Sequence, residues 1–209
     1  MKAFGPTVFY CPGFFIRAAT ALYEARGAAA LRHRVFVEEQ QIFKDHDRDA
    51  IDAVATTLVA LSTYAHEADE VVGTVRIHEA EPGLWWGSRL AVDQEFRAVG
   101  RLGRQLIRLA VSTAKGRGCD RFFAHVQRQN VPLFAKLGWS IEDEVVVHGV
   151  PHALMRADLT CYEPVADPQV GWLSLASQGR PAIRSRSRQA CEGVPALLAP
   201  SWPQWSVSA

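Results

Sequence analysis

Apolar residues recur along the first 160 positions with two periods, and the switch between them marks out the elements. Residues 14–18, beginning Phe14-Phe15-Ile16, make a short apolar run that reads as a first strand. Thr20 is placed to cap a helix, and Leu31, Val35 and Ile42 at helical spacing carry it to about Gln40. Residues 54–64 are apolar and β-branched, 67–70 polar and 71–77 apolar again, which predicts a hairpin turning at 67–70. Glu81-Pro82-Gly83 is a turn into a fourth strand over 85–92. From 100 to 116 the period returns to that of a helix. Leu102, Leu106, Leu109, Ala110 and Thr113 share its inner face, and Arg101, Arg104, Arg108 and Lys115 its outer one. Residues 121–126 read as a fifth strand. Residues 132–137 read as a short helix stopped at Gly138, and 145–147 with 153–159 as a last hairpin around 148–151. Hairpins followed by strand–helix–strand units predict an α/β (α+β) domain, a mixed sheet covered by helices.

Composition changes near residue 162. Residues 162–209 are rich in Pro, Ser, Gly and Arg, with an Arg184-Ser185-Arg186-Ser187-Arg188 run and isolated Trp172, Trp202 and Trp205. The expected division is a domain over 1–161 and a poorly ordered tail over 162–209, too polar to offset its ordering entropy. The 23 basic and 22 acidic side chains leave a formal charge of +1, which argues against a nucleic-acid partner. No apolar run reaches the roughly 18–20 residues of a membrane span, and Gly5-Pro6 and Pro12-Gly13 interrupt any signal-like segment. Cys11, Cys119, Cys161 and Cys191 are scattered without a CxxC pair, so reduced thiols in a cytoplasmic protein are expected.

The most informative stretch is residues 89–104. An apolar strand passes through a short loop into a helix start that holds Gly100 and Gly103, with Arg97, Arg101 and Arg104 around it. The first N–H groups of a helix lack internal partners and sit at the positive end of its dipole. Cations there disfavour folding unless an anion arrives, and glycines let that anion approach the backbone. The pattern points to a phosphate ligand; the alternative is a tight turn served by both glycines with solvated arginines around it.

Arg97-Ala98-Val99-Gly100-Arg101-Leu102 resembles the R/Q-x-x-G-x-G/A loop of the GNAT acyltransferase superfamily, departing at the sixth position, where Leu102 precedes Gly103. Residues 130–139, from Asn130 through Phe134 to Gly138-Trp139, resemble the segment that follows the fifth strand in that family. Residues 31–40 resemble the R-x-x-V-F-v-x-E-Q helix of one of its branches. Residues 47–52 resemble that branch's acidic loop, a pattern shared with the acyl-homoserine lactone synthases. The likeness covers about residues 8–160 and is strongest to N-acetyltransferases of bacterial nitrilase-associated gene clusters. It implies a mostly antiparallel sheet with a central strand splay, helices on both faces, and acetyl-CoA or another acyl-CoA as co-substrate. It further implies that Leu90, Ala91 and Val92 bind the pantetheine arm, with the Val92 N–H on the thioester carbonyl. Arg97, Val99, Gly100, Arg101, Leu102, Gly103 and Arg104 would hold the diphosphate, and Asn130 and Phe134 would contact the arm. The acceptor would be a small-molecule amine; a homodimer stays open.

Transfer to an amine needs a base, and three residues are candidates, Glu39 and His125 ahead of His78. Glu39 lies on the face of Leu31 and Val35 and is expected to point inward; Glu38 is expected to pair with Arg34. His125 ends the fifth strand beside the expected splay, on one face with Phe123; His78 has a weaker case. The family's Tyr acid falls at Phe134, which cannot donate a proton. This leaves open a protein of the same fold that binds acyl-CoA without turnover, or a transferase of longer acyl chains. His148 and His152 share no helix face, and the Asp45-x-Asp47-x-Asp49 run lacks the later ligands of a calcium loop, so no metal is expected. The acids of that loop could receive a cationic amine or be solvated.

Overall fold

The computed structural model describes residues 13–64, 67–97 and 101–175. Eight strands form one sheet: β1 (Gly13–Ala18), β2 (Thr56–Tyr64), β3 (Glu67–Glu81), β4 (Leu84–Val92), β5 (Arg121–Gln127), β6 (Trp139–Val147), β7 (Val150–Ala157) and β8 (Trp172–Leu175). Their order is β6-β7-β5-β4-β3-β2-β1-β8. Every pair is antiparallel except β4 with β5, which the helix α2 (Leu102–Gly116) joins as a crossover. Helices α1 (Leu22–His33) and α3 (Val131–Ala135) complete the fold.

Period-2 alternation builds the core on both sides of the sheet. Leu58 and Ala60 of β2 point to the side where Leu102, Leu106, Leu109 and Ala110 of α2 pack. Their neighbours Val59 and Leu61 point to the other side, against Ala28 and Leu31 of α1 and Val35 and Phe36 beyond it. Helices therefore lie on both faces, as the resemblance implies.

Several elements differ from the sequence reading. Thr20 does not cap α1; the buried Glu24 carboxylate turns back to accept the N–H groups of Thr20 (2.7 Å) and Ala21 (3.1 Å). The first helix does not run on as an α-helix to Gln40 but opens into a π-helical segment over Arg34–Glu39. Residues 67–70 are not a turn; they begin the long β3. Lys115 is not on a wet face, for its ammonium donates to the carbonyls of Leu159 and Tyr162.

Residues 162–175, placed by the sequence reading in the tail, pack on the domain. Tyr162 is only 3% exposed, its hydroxyl accepting from Trp139 Nε1 (2.9 Å) and donating to the Leu137 carbonyl (2.6 Å). The strand β8 then pairs with β1 at the sheet edge. Gly171, with φ +55°, makes this return feasible, because a Cβ there would lie 2.0 Å from the Ile16 carbonyl oxygen. The rest of the expected tail, 176–209, lies outside the described residues.

Candidate active site

The strands β4 and β5 pair only over Leu84–Gly87 with Arg121–Ala124. Beyond that they part, each held by its outer neighbour: β4 by β3, β5 by β7. The cause is a bulge in β4. Between Thr74 opposite Ala91 and Arg76 opposite Ser88, β4 carries one extra residue, and Arg89 takes φ +54° to absorb it. A left-handed conformation at a non-glycine residue costs on the order of 1–3 kcal/mol and marks a place where geometry serves function. The Asp93 N–H donates to Val72 across the β3 side (2.9 Å), so alternation turns the Val92 N–H toward the opening.

The opening meets the start of α2. Arg101 is its N-cap with φ +53°, no side chain caps it, and no acid lies in its first turn. The first intrahelical bond is Gln105 N–H to the Arg101 carbonyl, which leaves the N–H groups of Leu102, Gly103 and Arg104 without a described partner. A Cβ on Gly103 would find only Leu133 and Val92, at 3.9 and 4.0 Å, so the protein itself leaves space there. These bare donors beside an open strand fit a diphosphate continued by an extended arm. Val99 and Gly100 lie outside the described residues. Arg97 is already engaged: both its terminal nitrogens contact Glu39 (2.6 Å each), and its Nε donates to the Val92 carbonyl (3.0 Å).

A cavity of about 450 Å³ runs through the parted strands. On the α2 side its lining includes Ile107, Ala110, Phe122 and Phe134, with Asn130 at its rim; on the α1 side it includes Phe43, Arg89, His125 and His148. Phe134 is buried with its ring edge-on to Trp139 at 5.0 Å. The Tyr162 hydroxyl, bonded at both ends as described, is pushed up to about 12, chiefly by burial. Its proton is engaged by the Leu137 carbonyl, and Tyr162 does not line the cavity.

The two leading sequence candidates for the base separate. Glu39 does not point inward: its side chain is 37% exposed, on Arg97, and it does not line the cavity. The π segment widens the turn and rotates it off the face of Leu31 and Val35. Glu38 contacts His33, and Arg34 reaches Asp93 instead. His125 does share its face with Phe123, both packing on Trp86 (5.1 and 5.6 Å between rings). It lines the cavity and makes no hydrogen bond to a described residue. Partial burial, then the neighbouring His152, lower its pKa from the ordinary 6.5.

The acidic loop is neither solvated nor free for an amine, a feature sequence reasoning missed. Arg32 binds Asp47 (2.6 Å) and Asp52 (2.6 Å); Arg76, only 2% exposed, binds Asp49 (2.6 Å) and Asp52 (2.9 Å). Arg89 binds Asp47 and Asp49 (3.1 Å each) and stacks on Phe43 at 4.7 Å. Hydrogen bonds from Arg76 hold the Asp49 carboxyl below its usual range. Against its burial, bonds from Arg32, the Asp49 N–H and Arg76 do the same for Asp52.

The profile of the Acetyltransferase (GNAT) family matches residues 18–139. The chain belongs to the GNAT acetyltransferase family. As such it is an acyltransferase of the acyl-CoA-using kind. The Bacillus subtilis protein YyaT is 25% identical over 146 residues, 69% of this chain and 96% of YyaT. A Lactobacillus plantarum protein named as an N-acetyltransferase has the same fold, with a TM-score of 0.62 and 24% identity over 70% of this chain and 98% of its own. An acyl-CoA N-acyltransferase from Pseudomonas aeruginosa superposes with a TM-score of 0.55 and 21% identity, covering 69% of this chain and 98% of its own. Among the described residues no helix of this GNAT protein is long and apolar enough to cross a membrane.

Proposed function

We propose that the protein transfers an acetyl or other acyl group from coenzyme A to the amine of a small molecule by direct attack, with His125 as base. The single observation that carries this is the His125 ring on the cavity wall beside the strand opening, without a hydrogen-bond partner among the described residues and with a pKa below 6.5. An imidazole neutral at pH 7 can take a proton from the incoming ammonium. Bound acyl-CoA supplies an activated carbonyl. Leu102, Gly103 and Arg104 N–H groups, with Arg101, would hold its phosphates, and Leu90, Ala91, Val92 and Asn130 its arm. The Val92 N–H would polarise the carbonyl. The nitrogen–carbon bond forms as the carbon–sulfur bond breaks. One amine proton goes to His125 before attack, the second passes to water as the amide forms, and the departing thiolate takes a proton back from water, so that one net proton remains on His125. Glu39 then acts through Arg97, placing the loop ahead of α2. The likeness to N-acetyltransferases of nitrilase-associated clusters belongs to this reading without narrowing the acceptor.

Thiol release from acetyl-CoA with a panel of amines tests the proposal. His125→Ala is expected to lower kcat about 10²–10⁴-fold with unchanged acetyl-CoA affinity. Unchanged kcat removes His125 as base, and coenzyme binding without release with every amine removes catalysis.

A further inference from the structure

The side of the cavity open to an acceptor holds no carboxylate free to receive an ammonium. Asp49 is the acid on the lining, and both its oxygens are occupied: Oδ1 by Arg76 Nη1 (2.6 Å) and the Ile51 N–H (3.0 Å), Oδ2 by Arg76 Nη2 (3.0 Å) and Arg89 Nη2 (3.1 Å). The cations are not used up in the same way. Arg89 spends Nε and Nη2 on the Asp47 carbonyl (3.2 and 2.9 Å) and the loop acids. Its Nη1 has no partner among the described residues.

That guanidinium is also held rigidly. It is 16% exposed, stacked on Phe43, and clamped on the loop from one edge. It belongs to the residue that the chain forces into left-handed backbone, one position before Leu90 at the parting strands. A turn that wanted only the conformation would be met by Gly or Asn. Burial, then the charge of Arg76, lower the pKa of Arg89, against the two Asp nearby.

We infer that the acceptor is an amino acid or similar amine bearing a carboxylate, and that Arg89 Nη1 binds this carboxylate while the amine faces His125. This rests on the transferase reading above and narrows its substrate class. A fixed guanidinium edge recognises a planar carboxylate by charge-assisted hydrogen bonds, and a site built for such a group rejects the analogue without it.

The test compares, on the full chain, each of the common L-amino acids with its primary amide, following thiol release from acetyl-CoA. The amide keeps the side chain and removes the carboxylate charge, and its less basic amine by itself favours the amide, so a preference for the acid must come from the carboxylate. At least one acid is expected to be turned over with kcat/KM 30-fold or more above its amide. Equal or faster turnover of the amides, or turnover confined to amines without a carboxylate, overturns the inference and leaves the transferase standing. Absence of release with all amines, while acetyl-CoA still binds, sinks both the transferase reading and this one. Arg89→Lys keeps the charge and removes the fixed edge. It is expected to raise KM for the acid at least 10-fold, with KM for acetyl-CoA within 2-fold and a much smaller loss for the amide. An equal loss for acid and amide would show a merely structural Arg89 and overturn the assignment.

Discussion

Glu39 and Arg97 face each other in a two-pronged ion pair, each terminal nitrogen of the guanidinium 2.6 Å from its own carboxylate oxygen. The pair ties the end of the π segment to the loop ahead of α2, and hydrogen bonding to Glu39 raises the Arg97 pKa. Both side chains are more than a third exposed, so water and salt screen them. Glu39→Gln is therefore expected to change unfolding free energy by less than ~1 kcal/mol. It should also leave kcat within about 3-fold, since the base lies elsewhere. Urea unfolding and steady-state kinetics check both halves, and a hundredfold fall in kcat would return Glu39 to the chemistry.

Gly103 allows a cleaner probe of the coenzyme site. The space over its Cα is bounded by Leu133 and Val92 at ordinary contact distance, so Gly103→Ala costs the protein no clash and favours the helix. A bound diphosphate would meet the new methyl. Acetyl-CoA affinity is expected to fall at least 10-fold, by calorimetry, with thermal stability unchanged or raised. Unchanged affinity would mean that the phosphates lie elsewhere.

His125 sets a pH signature. Its folded pKa lies below the ordinary 6.5, so the active, neutral ring predominates at pH 7. The acid limb of kcat/KM should turn at a pH under 6.5, and His125→Ala should lose that limb. Stability follows the same sign. Between the folded and unfolded values the unfolded chain binds more protons, so this group's contribution falls as pH drops through that window. A limb centred above 6.5 would show that another group titrates.

The helix α2 was legible because its stripe of Leu102, Leu106, Leu109 and Ala110 and its bare first turn are local patterns. The bulge at Arg89 was not. Nothing about an arginine announces a left-handed backbone, which here follows from β4 having to match β3 while leaving β5. Arg32, Arg76 and Arg89 come from three elements, so their meeting on one acidic loop needed the fold. The π segment turned Glu39 away from a face that α-helical spacing had assigned it. Tyr162 and β8 were hidden by the polar composition around them, because one buried ring and four strand residues barely move an average.

Tyr162→Ala measures how firmly that late segment belongs to the domain. The substitution empties a buried site against Trp139, and it leaves Trp139 Nε1 and the Leu137 carbonyl without their bonds. Lost packing and unpaired polar groups together are expected to cost about 3–5 kcal/mol. Tyr162→Phe keeps the ring and should cost about 1–3 kcal/mol.

Arg76 anchors the acidic loop from the inside. It is the most buried cation of the loop network, and it contacts both Asp49 and Asp52. Arg76→Met keeps the volume and leaves those two carboxylates without their inner partner. Asp49 and Asp52 are 35% and 28% exposed and keep Arg89 and Arg32, so the expected loss is that of charged hydrogen bonds, about 1–3 kcal/mol, and urea unfolding should find it. Acid should weaken the same network. Asp49 and Asp52 have folded values below the ordinary carboxylate value of 3.8, so their contribution is complete above that pH and is lost as pH falls through the folded values. Native protein is expected to lose stability steeply below about pH 4, and Arg76→Met to lose less over the same range. Equal acid sensitivity in the two proteins would mean that Arg76 does not hold those carboxyls ionised.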